Sequence, residues 1–208
     1  MCAIALLLLS GCSGGGSGEL SAAKANVVFF GDSLTDGYTL GEAKAFPAHI
    51  QTKIDQEGLP FTVVNAGRSG DTTADALPRL SGALEGEVAL VFIALGTNDV
   101  RKRFEIDSIR ARFATIVAES RRLAPDATIA LGGVDAFSGA PPAYIEAFKT
   151  MLSEFAVEHN LPYLPGPLAG VHGVAELNLS DGLHPNEAGH RAVAENVWRF
   201  LLPLLLAR

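Results

Sequence analysis

Cysteine is nearly missing from this sequence. Of 208 residues only Cys2 and Cys12 are cysteines, and both lie within the first twelve positions. The body of the chain therefore has neither a disulfide framework nor a cysteine-bearing zinc site. Charge is sparse as well: Asp, Glu, Lys and Arg make up 19% of residues, with a formal net charge of −7. An acidic chain lacks the electrostatic footprint of a nucleic-acid binder. Its short basic runs, Arg101-Lys102-Arg103 and Arg121-Arg122, read as solvated loop and helix-end charges. No G-x-x-x-x-G-K-[ST] and no G-x-G-x-x-G loop occurs, which removes the common nucleotide readings. Asp181, His184 and His190 have the residue types of a metal site but not the paired-His i, i+4 pattern, so no metal and no cofactor is expected. The apolar run at residues 3–9 (AIALLLL) is too short to span a bilayer.

What is present suits one folded domain, since 48% of residues are hydrophobic. The N-terminus reads as a targeting segment. Residues 3–9 are followed by Leu9-Ser10-Gly11-Cys12, which resembles the lipobox of bacterial lipoproteins, with Cys12 as the lipidated residue. A plain secretory signal is the alternative. The Ser/Gly run at residues 13–18 (SGGGSG) then reads as a flexible tether. The expected organisation is a signal peptide over residues 1–11, a tether over 12–25 and one domain over 26–208. That order places the protein in the cell envelope, as a monomer held at the membrane by its lipid anchor.

Short apolar runs at residues 26–30 (NVVFF), 62–65, 88–95 (VALVFIAL), 128–131 and 161–164 fit strands buried on both faces. Between them lie helical patterns. Phe46, Ile50 and Ile54 form one stripe, with Gly58 placed to end that helix. Ile109, Phe113, Ile116 and Val117 form a second stripe, Tyr144, Phe148, Leu152 and Phe155 a third, and Val193, Val197 and Leu201 a fourth. Strands alternating with such helices predict an α/β fold, a three-layer α/β/α sandwich on a five-stranded parallel sheet. In open parallel sheets the functional site lies beyond the carboxyl ends of the strands.

Four polar clusters fall at or near such positions: Gly31-Asp32-Ser33-Leu34, Ser69-Gly70-Asp71-Thr72, Gly96-Thr97-Asn98-Asp99 and Asp181-Gly182-Leu183-His184-Pro185. Each alone reads as ordinary turn or helix-cap chemistry. Together, in this order, they resemble the four blocks of the SGNH/GDSL hydrolases. The cues Thr35-Asp36-Gly37-Tyr38, Asn65-Ala66 and Pro78-Arg79-Leu80 are similar to the bacterial branch holding the periplasmic thioesterase/protease/lysophospholipase and arylesterases. The resemblance covers residues 26–205. It implies a flavodoxin-like sandwich and a serine esterase acting on carboxylic esters or thioesters, with a small-molecule or lipid ester as substrate. A non-catalytic envelope lipoprotein on the same scaffold is the alternative.

The chemistry asks for these residue types. A serine hydroxyl needs an adjacent base, and His184 is the candidate for Ser33. Asp181 stands three residues before it, a spacing that on one helical turn lets a carboxylate orient the imidazole. The resemblance implies an oxyanion hole from the N–H groups of Ser33 and Gly70 and the side-chain amide of Asn98. Asp32, Asp71 and Asp99 read as local acceptors, and His49, His159, His172 and His190 as structural or surface residues. The G-x-S-x-G elbow is absent around Ser33. The chain around residues 135–144 is Gly-, Ala- and Pro-rich and is expected to shape the pocket.

Overall fold

The computed structural model describes residues 24–134 and 139–208. Cys12, the signal segment, most of the tether and part of the expected pocket loop lie outside the described residues. The sheet has five parallel strands: β1 (Ala25–Gly31), β2 (Phe61–Gly67), β3 (Val88–Ala94), β4 (Thr128–Gly132) and β5 (Tyr163–Leu164), in the spatial order β2-β1-β3-β4-β5. The longer helices are α2 (Phe46–Gln56), α6 (Ile106–Leu123), α7 (Pro142–Glu158) and α8 (Glu187–Leu206). Short helices α1 (Ser33–Asp36), α3 (Thr73–Ala76), α4 (Leu80–Ala83) and α5 (Thr97–Lys102) follow the strands on the site side or lead back to the sheet.

The alternation along β1 explains the layering. Val27 and Phe29 pack with Ile50 and Ile54 of α2 and Val193, Val197 and Leu201 of α8. Val28 and Phe30 point the other way, into a core with Ile109 and Phe113 of α6 and Phe148 and Phe155 of α7. Successive strand side chains face opposite sides of a sheet, so a strand apolar at every position feeds two cores. This is the sandwich that the sequence predicts. All five phenylalanines named here are fully buried.

Differences from the sequence reading are local. The fifth strand begins at Tyr163, not Leu161, because Pro162 has no N–H and joins the edge only through its carbonyl, which accepts from Leu131 at 2.9 Å. The last helix starts at Glu187, with Asn186 as its cap: the Asn186 side chain accepts from the Gly189 N–H. The short helices α1, α3, α4 and α5 carry too few residues to show a 3.6-residue period.

Candidate active site

The chain leaves β1, adds β2 on one side and β3 on the other, so strand order reverses at β1. Open α/β sheets form a crevice at such a point. Three of the four sequence clusters emerge there. Asp32 caps α1 by accepting from the Leu34 N–H at 3.0 Å, and Ser33 is the first residue of that helix. The bland reading of this cluster as a helix cap and the functional one are thus compatible: the cap belongs to Asp32 and leaves the Ser33 hydroxyl free. Gly67, at the end of β2, lets α1 sit close. A Cβ there would lie 2.2 Å from the Asp36 nitrogen. Gly70, at φ +89°, holds a left-handed turn beside the crevice.

Ser33 Oγ stands 3.0 Å from His184 Nε2, although 151 residues separate them. His184 Nδ1 is 2.7 Å from Asp181 Oδ2. With Asp181 ionised, the imidazole Nδ1–H donates to it and Nε2 is left to accept from the serine. Asp181 and His184 are not on a helical turn, a correction to the sequence reading. Residues 181–184 form a turn in which Asp181 Oδ1 accepts the N–H groups of Leu183 and His184 at 2.9 and 3.0 Å. An aspartate binding backbone two residues on is ordinary turn chemistry, and it aims the second carboxylate oxygen at the ring. Burial alone would raise the Asp181 carboxyl. Its bonds to the N–H groups of His184 and Leu183 and to the imidazole outweigh that and bring it down to about 2. It is therefore a carboxylate at any working pH.

Tyr38 covers the other side of the histidine. Its ring stacks on the imidazole at 3.8 Å between centroids, 15° from parallel. This contact restricts ring rotation. The sequence marks Tyr38 only through its family resemblance, because a stack between residues 38 and 184 has no local signal.

Asn98 begins the second position of α5. Its amide Nδ2 donates one hydrogen to the Asp71 carbonyl at 2.9 Å, which leaves the other N–H for the crevice. Among the described residues no acceptor takes the N–H of Ser33 or Gly70. Asp71 and Asp99 are local acceptors, as expected. Asp71 accepts from Arg79 Nε at 2.6 Å. Asp99 accepts the Thr73 N–H and hydroxyl at 2.9 and 2.6 Å, and burial raises its carboxyl. Asp32 is pushed up to about 6 by complete burial, with the Leu34 N–H pulling the other way.

Arg79 was also legible only as a family cue. Its Nη1 and Nη2 donate to the carbonyls of Ala66 and Gly31 at 2.7 and 2.8 Å, so one side chain ties the ends of β2 and β1 to the Asp71 loop. His190 lies behind the site. It accepts the Phe46 N–H at Nδ1, 3.2 Å away, and burial together with the charges of His49 and His184 lowers it to about 4. His190 does not join Asp181 and His184 in a shared site, and no cluster able to hold a metal exists among the described residues.

Ser33, Tyr38, Ser69, Gly70, Thr97, Asn98, Arg101 and His184, with Leu34 and Leu183, enclose a cavity of about 330 Å³. A concave site of this size that gathers a serine, a histidine and several unused donors has the form of a small-molecule pocket.

Residues 29–192 match the GDSL-like Lipase/Acylhydrolase family. The chain belongs to that family. Among curated proteins it is 35% identical to "Esterase TesA" of Pseudomonas aeruginosa over 200 residues, covering 96% of this chain and 98% of that one. It is 28% identical to "Thioesterase 1/protease 1/lysophospholipase L1" of Escherichia coli over 186 residues, 89% of this chain and 87% of that one. Among solved structures, the psychrotrophic esterase EstA from Pseudoalteromonas sp., inhibited by monoethylphosphonate, superposes with a TM-score of 0.80 at 25% identity, covering 87% of this chain and 98% of that one. As a GDSL-family acylhydrolase, the chain is a hydrolase of esters, and the crevice beyond β1 is where its four family blocks meet.

Proposed function

We propose that this acylhydrolase is a serine esterase working through an acyl-enzyme, with Ser33, His184 and Asp181 as its triad. The observation that carries the proposal is the continuous relay Ser33 Oγ, His184 Nε2, His184 Nδ1, Asp181 Oδ2, with both links within hydrogen-bond reach. Ser33 Oγ attacks the substrate carbonyl while His184 Nε2 takes its proton; Asp181 stabilises the imidazolium. The oxyanion receives the N–H groups of Ser33 and Gly70 and the free amide hydrogen of Asn98. The imidazolium then protonates the departing alcohol or thiol, and the acyl group stays on Ser33. Water, deprotonated by His184, attacks the acyl-enzyme, and collapse returns the serine and releases the acid.

Carboxylic esters and thioesters are the substrate class, with arylesters, lysophospholipids and acyl thioesters all inside it. The names of the relatives, esterase and thioesterase/lysophospholipase, support that breadth. The Leu9-Ser10-Gly11-Cys12 segment supports export to the cell envelope as a lipoprotein.

The test is labelling with a fluorophosphonate together with hydrolysis of p-nitrophenyl acetate. The wild type should label at Ser33 and turn over the ester; Ser33→Ala should do neither while keeping its far-UV circular dichroism. Labelling that persists in Ser33→Ala would remove Ser33 from the nucleophile's role.

A further inference from the structure

The basic run at residues 101–103 has the sequence signature of a solvated surface, and the fold divides it. Lys102 pairs with Asp75 at 3.8 Å and lies 5.9 Å from the Phe104 ring centroid. Arg103 donates through Nη2 to the Gly139 carbonyl at 2.9 Å. Arg101 does neither. Among the described residues it has no ion-pair or hydrogen-bond partner, and it lines the catalytic cavity. Three residues separate it from Asn98 on α5, so the two share a helix face and reach the same space.

The rest of the cavity wall carries no competing charge. Its other lining groups are Ser, Thr, Asn, Gly, Leu, Tyr and His184. The nearby carboxylates are occupied: Asp36 by the Ser69 hydroxyl, Asp71 by Arg79, Asp75 by Thr72 and Lys102, Asp181 by His184. Arg101 is thus the one permanent charge facing the substrate space among the described lining residues, on a chain whose net charge of −7 otherwise repels anions. A guanidinium offers paired N–H donors matched to a carboxylate or a phosphate.

We propose that Arg101 is an anion subsite of the catalytic pocket, selecting esters that carry a carboxylate or phosphate group near the scissile bond. The selection rests on the pocket being the ester-binding one, but the subsite itself does not need the acyl-enzyme mechanism. Two substrate pairs locate the charge. Mono-4-nitrophenyl succinate against 4-nitrophenyl butyrate puts a carboxylate on the acyl side. 4-Acetoxyphenyl phosphate against phenyl acetate puts a phosphate on the leaving group.

The readout is the ratio of kcat/KM, anionic over neutral, within each pair. Arg101→Gln should lower the ratio about 5- to 20-fold in at least one pair, and Arg101→Glu should lower it further. Arg101→Lys should keep part of it. About 0.5 M NaCl should lower the wild-type ratio and leave that of Arg101→Gln nearly flat. A ratio unchanged within about twofold in both pairs overturns the proposal. Binding of phenyl phosphate and of monomethyl succinate to Ser33→Ala, measured by calorimetry with and without Arg101→Gln, separates this from the mechanism. Failed hydrolysis of every ester by the wild type would count against the esterase reading alone. Equal binding of both anions with and without Arg101 would count against the subsite.

Discussion

At the scale of single residues, the site depends on donors whose second bond is already spent. Asn98 is held by the Asp71 carbonyl and keeps one amide hydrogen for the crevice. A donor that meets the oxyanion acts mostly in the transition state and little on the bound ester. Asn98→Ala should therefore lower kcat roughly 100-fold or more with KM little changed, and it should still label with a fluorophosphonate, more slowly. Steady-state kinetics on a neutral p-nitrophenyl ester check this. A rise in KM at constant kcat would make Asn98 a substrate-binding group instead. Asp181 shows the same economy of bonds: one oxygen takes two backbone N–H groups and the other takes the imidazole.

At the scale of elements, α8 and α2, which also share an apolar core and the Lys53–Glu195 ion pair, are joined behind His184 by the bond from the Phe46 N–H to His190 Nδ1. That nitrogen accepts only while the ring is neutral. His190 is 1% exposed, and its folded-state value, lowered to about 4, lies below the ordinary 6.5. The unfolded chain therefore binds a proton more readily than the folded one between those values, and stability falls as pH drops through 6.5 toward 4. From pH 7 to pH 5 this one group should cost about 2 kcal/mol. Asp32 works in the opposite sense. Raised to about 6, it favours the folded state as pH falls from 6 toward its ordinary 3.8. The two partly cancel in the wild type, so the measurement must be a difference. His190→Gln should be less stable than wild type at pH 7, with the gap narrowing by about 2 kcal/mol at pH 5, read from urea unfolding. A gap that does not change with pH would mean that His190 is not buried neutral.

At the scale of the whole molecule, the catalytic domain and the segment ahead of it pose separate questions. No helix among the described residues is long and apolar enough to cross a membrane. The lipoprotein proposal rests on Cys12, outside the described residues. Expressed in a bacterial host behind a complete signal, the wild type should partition with membranes and Cys12→Ser should be released or left unprocessed. Fractionation followed by mass spectrometry of the N-terminal peptide measures it. A fully soluble, unacylated wild type would refute the lipoprotein proposal and leave the esterase proposal intact.

Local sequence settled much of this protein because its signals are short-range. The apolar runs that become β1 to β4 are read from four to eight consecutive residues, and the stripes of α2, α6, α7 and α8 from one 3.6-residue period. That Ser33, Gly70, Asn98 and His184 would gather at one crevice, with Asp181 bonded to His184, was legible because strand ends in a parallel sheet converge by rule, and because their four blocks resemble one family. The sequence could not show which neighbours the fold supplies. Nothing local joins Tyr38 to His184, Arg79 to the ends of β1 and β2, or His190 to Phe46, since each contact depends on how separate α/β units dock. Spacing alone also misjudged the Asp181–His184 turn, where two backbone N–H groups, not a helix, set the carboxylate. The clearest case is the basic run at 101–103. Its composition is that of a solvated surface, and only the packing of α5 against the crevice decided which of three adjacent cations would pair with Asp75, which would bind a carbonyl, and which would line the cavity.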